Sequence, residues 1–352
     1  MTDNSTSGVG SLRADTTGLR ARPTVGVIAN PAAGKDIRRL VAHGSNTDTE
    51  SKVHIVRRLL VGLASAGTQR VLFMPDHHRI VERAFAGVHQ KELLPEEIVE
   101  LESALAADAS DTQEACRQMA AAEVGCIVIL GGDGTSRAAA KTCGDVPLVA
   151  IATGTNNVFA RMMEGTMAGL AAGVVASGLV GGVPAVRRTK RLVVLKNGRP
   201  IDMALVDAVV LDEVLIGSRA VWGVEKIRQV VVTVAEPDCI GLSAIAGSIE
   251  PIGRFSSSGL AVEVGGGGIE VKAPIAPGVI ASVPVSAHHV LEVGEEVEVR
   301  EKPCVIALDG EREIYVGPGD SAALRLEYSG PMIVDVRQAL RRAIKLGYAV
   351  RT

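Results

Sequence analysis

Residues 126–141 read CIVILGGDGTSRAAAK. The apolar run CIVIL stops at two glycines, and an alanine-rich helical stretch begins at about Thr135 and runs to Gly144. An apolar run without alternation marks a strand covered on both faces, and the change from strand to helix across a glycine turn marks a β–turn–α unit. The unit recurs along the chain. TVGVIA (24–29) runs into NPAAGK (30–35), and a helical period follows from Ser51 to Ala66 with apolar residues at Val53, Val56, Leu60 and Leu63. RVLFM (70–74) gives way to PDHHR (75–79), a further helix is expected over Asp111–Glu123, and PLVAIA (147–152) leads into TGTNN (153–157). Four buried strands alternating with helices predict an α/β domain, a doubly wound Rossmann-like parallel sheet over residues 23–184.

The pattern changes after residue 184. KRLVVLKNGRPIDMALVDAVVL reads as two strands joined through Asn197-Gly198, a hairpin signal. From 258 to 328 short strands are broken by GGGG, APIAPG, LDGE and GPGD, so residues 185–328 are expected to form an antiparallel β-sandwich domain. Helical character returns around Asp335–Leu346, and 329–352 is expected to pack back on the first domain. Residues 1–22, rich in Ser, Thr, Gly and Asp, read as a disordered tail without an apolar signal core.

A formal net charge of −3 carries no footprint for nucleic acid or an anionic membrane, and 1 Trp, 3 Tyr and 4 Phe are too few for base stacking. No apolar run is long enough to span a bilayer. The 5 cysteines are widely and irregularly spaced, without a C-x-x-C pair, which fits a reducing compartment and argues against zinc. A cytoplasmic protein acting on a small-molecule substrate is the expectation, with no nucleic-acid or membrane partner.

The loops that follow the four strands fall on one edge of a parallel sheet, where such folds bind ligands. Gly131, Gly132 and Gly134 allow a tight turn and close approach of backbone to ligand. With Thr135, and the amides near Thr135 and Ser136 at a helix start, they read as a phosphate cradle. Asp133 stands inside that anion site, where a carboxylate is expected to hold a metal or activate an acceptor, or simply to cap the helix. Neither G-x-x-x-x-G-K-[ST] nor a G-x-G-x-x-G after the first strand occurs, so the two common nucleotide fingerprints are missing. Asn30, Gly34 and Lys35 of the first loop, and Thr153, Gly154, Thr155, Asn156 and Asn157 of the last, are candidates for the nucleotide's ribose and phosphates. Arg137 and Lys141, one helical turn apart, can face one anion or solvent equally. RRTKR (187–191) reads as a phosphate grip or a solvated linker. His77-His78 and His288-His289 are adjacent pairs, a poor metal pattern.

GGDGT followed one strand later by G-T-x-N resembles the superfamily of NAD kinases, diacylglycerol kinases and sphingosine-type lipid kinases. NPAAG (30–34), GTNNVFAR (154–161) and IALDGERE (306–313) resemble the NPxxG, GTGNDFAR and DGE motifs of its lipid-kinase branch. Ser136, Arg137 and Ala138 stand where lipid kinases continue with x-N-E, Asn156 and Val158 replace a Gly and an Asp, and Val206 replaces the Asn that pairs with Asp207 in NAD kinases. PAAGKDIRRL, LGGDGTSRAAAK, ATGTNN, DAVVLDE and IGLSAIAG are most similar to AcoX-type proteins, NAD-kinase relatives named for acetoin catabolism. The resemblance implies an NAD-kinase/diacylglycerol-kinase-like fold, ATP or polyphosphate with Mg²⁺, and a homodimer or homotetramer. It also implies Asp309 as a metal ligand, Glu311 as a base beside Asp133, and Asp207 at the substrate. The activity implied is phosphorylation of a hydroxyl of NAD or a related polar metabolite. A non-catalytic nucleotide-binding regulator and a lipid kinase are the alternatives.

Overall fold

The computed structural model describes residues 22–34, 47–154, 156–214 and 224–348, with Arg312 and Glu313 in backbone only. Expectations for the tail at 1–21 and for Lys35 and Thr155 lie outside these residues. The first part of the chain forms β1 (Thr24–Ala29), α1 (Thr49–Ser65), β2 (Arg70–Phe73), α2 (Ile80–Ala86), β3 (Glu97–Glu100) and α3 (Ala109–Ala121). It continues with β4 (Cys126–Gly131), α4 (Asp133–Ala140), β5 (Leu148–Ala152), α5 (Gly165–Ala176) and β6 (Val186–Arg188).

The sheet order is β3-β2-β1-β4-β5, parallel throughout. β1, β2, β4 and β5 are apolar on both faces because helices cover both: α1, α2 and α5 on one side, α3 and α4 on the other. The chain builds outward from β1 to β3 and then, from β4, in the opposite direction, which leaves a crevice between the ends of β1 and β4. The strand missed by sequence reading is β3, EIVE. It has glutamate at both ends, three half-buried residues and an exposed Glu100, as befits a short charged strand that blunts the sheet edge. Helix α1 begins where Asp48 accepts the Ser51 amide at 2.7 Å, and buries Val53, Val56, Leu59, Leu60 and Leu63 on one stripe.

The second part forms β7 (Arg191–Lys196), β8 (Arg199–Ala204), β9 (Asp207–Leu211), β10 (Ile227–Val232), α6 (Ser243–Gly247), β11 (Ser258–Ala276) and β12 (Val279–Glu292). β13 (Glu296–Glu298), β14 (Cys304–Leu308), β15 (Glu311–Val316) and β16 (Ala322–Glu327) complete it. A sheet of order β12-β11-β10-β9-β14-β15 faces one of order β13-β16-β7-β8. Leu192, Val194, Leu324 and Leu326 of the smaller sheet pack against Val210, Val231, Ile306 and Leu308 of the larger. Asn197 and Gly198 both take positive φ, 51° and 73°, as a two-residue turn between twisted strands requires. One expectation is corrected here. RPIDMALVDAVVL is not one strand: it breaks at Leu205-Val206, with β8 and β9 in different sheets.

β17 (Met332–Val334) returns to the first sheet, parallel to β5 and antiparallel to β6, and α7 (Val336–Lys345) packs beside α5. Tyr348 then donates its hydroxyl to Ser65 O at 2.9 Å. Because Val186–Arg188 pair with β17, the chain leaves the first sheet at Thr189, a few residues later than the boundary expected at 185. Among the described residues no helix is long and apolar enough to cross a membrane, and all five cysteines are free.

Candidate functional site

Three of the four predicted loops meet. Beyond the ends of β1 and β4 the Asn30 amide donates to Leu130 O at 3.0 Å. Asn30 Nδ2 then donates to Thr135 Oγ1 at 2.8 Å, while its Oδ1 accepts from the Ala32 amide at 2.9 Å. Asn157 Oδ1 accepts from the Asp133 amide at 3.1 Å, and its Nδ2 donates to Gly154 O at 2.9 Å. Gly34, at φ +77°, lies so close to the last loop that a Cβ would stand 2.6 Å from Thr153 O. A Cβ on Gly132 would stand 2.8 Å from Asn157 Oδ1, and one on Gly131 2.6 Å from Thr135 Oγ1. NPAAG, GGDGT and TGTNN are therefore one cluster at the crevice. PDHHR does not join it: Asp76 accepts the amides of His78 and Ile80 at 2.8 and 2.9 Å and so starts α2, leaving His77, His78 and Arg79 in solvent.

Helix α4 starts earlier than expected, at Asp133, and the Ser136 amide is taken by Gly132 O at 3.0 Å. The first-turn amides available to an anion are therefore those of Gly134 and Thr135, not Ser136. Thr153 Oγ1 is buried without a partner, 1% exposed, at the meeting point of the loops. An orphaned hydroxyl, a Cβ-free approach at Gly34 and open helix amides fit a phosphate oxygen.

Asp133 is placed otherwise than its motif suggested. Its Oδ2 accepts from the Val158 amide at 2.8 Å, and its Oδ1 from Phe159 and Ala160 at 3.0 and 2.9 Å. The carboxylate thus points inward and organises the loop after β5. Burial pushes its pKa up, against the three amides and the nearby Arg254 guanidinium. Arg254, itself pushed down to about 10 by burial and by Arg161, donates to Val158 O at 2.6 Å and lies over the Phe159 ring.

Asp309 and Gly310 take φ +49° and +83° and turn β14 into β15. The motif is a hairpin turn between two strands, and that turn lies against α4. Asp309 Oδ1 accepts from the amides of Leu205 (3.0 Å), Val206 (2.8 Å) and Asp207 (3.3 Å), and Oδ2 stands 3.6 Å from Arg137 Nε. This carboxylate fixes the corner at which β8 ends and β9 begins in the other sheet. Burial first, and then the Asp133 charge, push it up to about 7 against Arg137. Arg137 also lies 3.5 Å from Asp202, to which Lys141 pairs at 2.7 Å. Arg137 and Lys141 do face one anion, but it is a carboxylate of the second domain. Asp207 is buried at the foot of β9, 5% exposed. Glu311, half-buried, reaches over α4: its Oε1 lies 3.5 Å from a Cβ placed on Gly134.

A divalent cation does not fit the expected donors. Asp309 and Asp133 each spend their oxygens on three amides, and among the described residues no group of three His, Cys, Asp or Glu is arranged to hold a metal. The RRTKR run is neither phosphate grip nor solvated linker. Arg187 stacks on Phe255, Arg188 pairs with Asp145, Arg191 with Glu327, and Lys190, 1% exposed, donates to Gly253 O, Ser256 Oγ and Ser258 O. Lys52 and Arg254 were missed. Lys52 carried a signal, a charge on the apolar stripe of α1; Arg254, in PIGRF, carried none.

The ATP-NAD kinase N-terminal domain matches residues 25–179, and the acetoin catabolism protein X C-terminal domain matches residues 190–329. Acetoin catabolism protein X of Cupriavidus necator is 41% identical over 331 residues, covering 91% of this chain and 92% of that protein. The chain belongs to the acetoin catabolism protein X family. A candidate diacylglycerol kinase of Bacillus anthracis str. Sterne aligns over 89% of this chain and 97% of its own, at 14% identity and a TM-score of 0.48. In this acetoin catabolism protein X family member the loop cluster belongs to the kinase-type domain. Asp202, Asp207, Arg254, Asp309 and Glu311 come from the family's C-terminal domain, so the site lies where the two meet.

Proposed function

We propose that the protein transfers a phosphoryl group from ATP, or from inorganic polyphosphate, to a hydroxyl of NAD or a smaller polar metabolite. The observation that carries this reading is the joining of NPAAG, GGDGT and TGTNN at the crevice between β1 and β4, with the amides of Gly134 and Thr135 open at the start of α4. Such a cluster supplies what phosphoryl transfer needs most from a protein, positioned phosphates and a stabilising electrostatic field. The acceptor oxygen attacks the terminal phosphorus, the bond to the leaving phosphate oxygen breaks, and the acceptor's proton passes to Glu311. Asp133 and Asp309 shape the loop and the corner around that event. ATP-NAD kinase domains generally use ATP with Mg²⁺; neither carboxylate here is assigned as its ligand, and no step is routed through it.

The saturation of Asp133 favours a second reading, nucleotide binding without turnover. Acceptor-dependent ATP or polyphosphate consumption separates the two. Under the kinase reading Glu311→Gln lowers turnover by about 10²–10⁴-fold while nucleotide still raises the melting temperature. Nucleotide binding without consumption, across NAD, sugars and short polyols, selects the regulator instead.

A further inference from the structure

Lys52 is a buried charge that the proposed reaction leaves unused, and it is directed at the loop cluster. It rises from the first turn of α1, is 0% exposed, and donates from Nζ to Asn30 O at 3.2 Å, Pro31 O at 2.9 Å and Ala33 O at 2.6 Å. All three acceptors are backbone carbonyls of NPAAG. An ammonium is a strongly hydrated point charge, and burying it is costly without such acceptors.

The consequence for the loop follows from peptide planarity, which sets each carbonyl opposite the next residue's amide. Turning Pro31 O toward Lys52 directs the Ala32 amide outward, where Asn30 Oδ1 accepts it. Turning Ala33 O the same way directs the Gly34 amide outward, with Gly34 at φ +77° against the last loop. The same loop holds Thr135 through Asn30, so its orientation is transmitted to the start of α4.

We infer that Lys52 is a positioning residue for a phosphate-chain ligand: it turns the carbonyls of NPAAG inward, leaves the Gly34 amide facing the crevice, and places a buried positive charge behind the loop. The inference rests on the phosphate-binding reading of the loop cluster. Its action is on anion affinity, and it touches neither acceptor nor reacting atoms.

The test measures inorganic tripolyphosphate binding by titration calorimetry, at two salt concentrations, for wild type, Lys52→Met and Lys190→Met. Lys190 is an equally buried lysine with three bonds of its own, outside the loop cluster, and serves as the stability control. Lys52→Met is expected to bind at least tenfold more weakly, and Lys190→Met as wild type does. Lys52→Gln, which keeps donors but loses the charge, stands in where Lys52→Met fails to fold, and is also expected to bind more weakly. Wild-type affinity in Lys52→Met or Lys52→Gln overturns the inference and leaves the phosphate reading intact. Equal weakening in Lys190→Met assigns the effect to general destabilisation and overturns it too. Wild type that binds neither tripolyphosphate nor ATP overturns the phosphate reading itself.

Discussion

Replacing Asp133 by Asn separates anchoring from chemistry at the residue whose motif suggests chemistry. The carboxylate accepts three consecutive amides, Val158 on Oδ2 and Phe159 and Ala160 on Oδ1. Asparagine offers one acceptor oxygen. Placed at Oδ1 it keeps two bonds, and its NH₂ then confronts the Val158 amide 2.8 Å away, donor against donor. An orphaned buried amide costs about 1–3 kcal/mol. Relief of a buried charge offsets part of this, and loss of the Asp133 charge beside Arg254 adds to it. Asp133→Asn is therefore expected to be destabilised by about 1–3 kcal/mol, and Asp133→Ala, which orphans all three amides, by about 3 kcal/mol or more. Urea unfolding midpoints measure the change, and hydrogen exchange of residues 158–160 localises it, since those amides should lose protection first. Unaltered stability and unaltered exchange at 158–160, together with lost turnover, would refute the anchoring argument and return Asp133 to the reaction.

Asp309 is pushed up to about 7 from 3.8, so the folded state holds its proton more tightly. Its contribution to stability is full below about pH 4 and is lost as pH rises through 7; Asp309→Asn should flatten urea stability across that window. Arg137→Met removes the cation beside Asp202 and Asp309, and should cost about 3–5 kcal/mol in urea unfolding while moving the Asp309 titration to higher pH. Gly34→Ala sets a Cβ 2.6 Å from Thr153 O, so it should abolish ATP-induced thermal stabilisation. Gly67→Ala, at φ +81° with open space around it, should lower stability by only about 1 kcal/mol and keep the ATP response.

Much of this protein is decided locally. The strand and helix periods of β1, α1, β2, α3, β4, α4 and β5, the stops at NPAAG and GGDGT, and the turns at Asn197-Gly198 and Asp309-Gly310 follow from side-chain pattern and from residues that tolerate positive φ; α2, β3 and α5 carried no such signal. Those determinants act within a few residues of themselves. The two-domain layout and the gathering of loops at the strand ends follow from them through the handed, parallel winding of the sheet. The destinations of charged side chains do not. Lys190 reads as part of a phosphate grip or a solvated linker, and Lys52 has no assigned destination, until residues 253–258 and NPAAG fold back as their acceptors. Arg137 reads equally as an anion contact or a solvated charge until Asp202 and Asp309 arrive from the other domain, and Asp133 as a metal holder, acceptor activator or helix cap until the loop after β5 presents its amides. The break between β8 and β9 likewise depends on Asp309, about a hundred residues downstream. Whether a charge is solvated, paired or buried depends on which distant segment covers it, and a one-dimensional pattern carries no record of that contact. Sequence alone thus determined the scaffold and where its loops meet; tertiary structure decided which of the polar groups there remain open to a ligand.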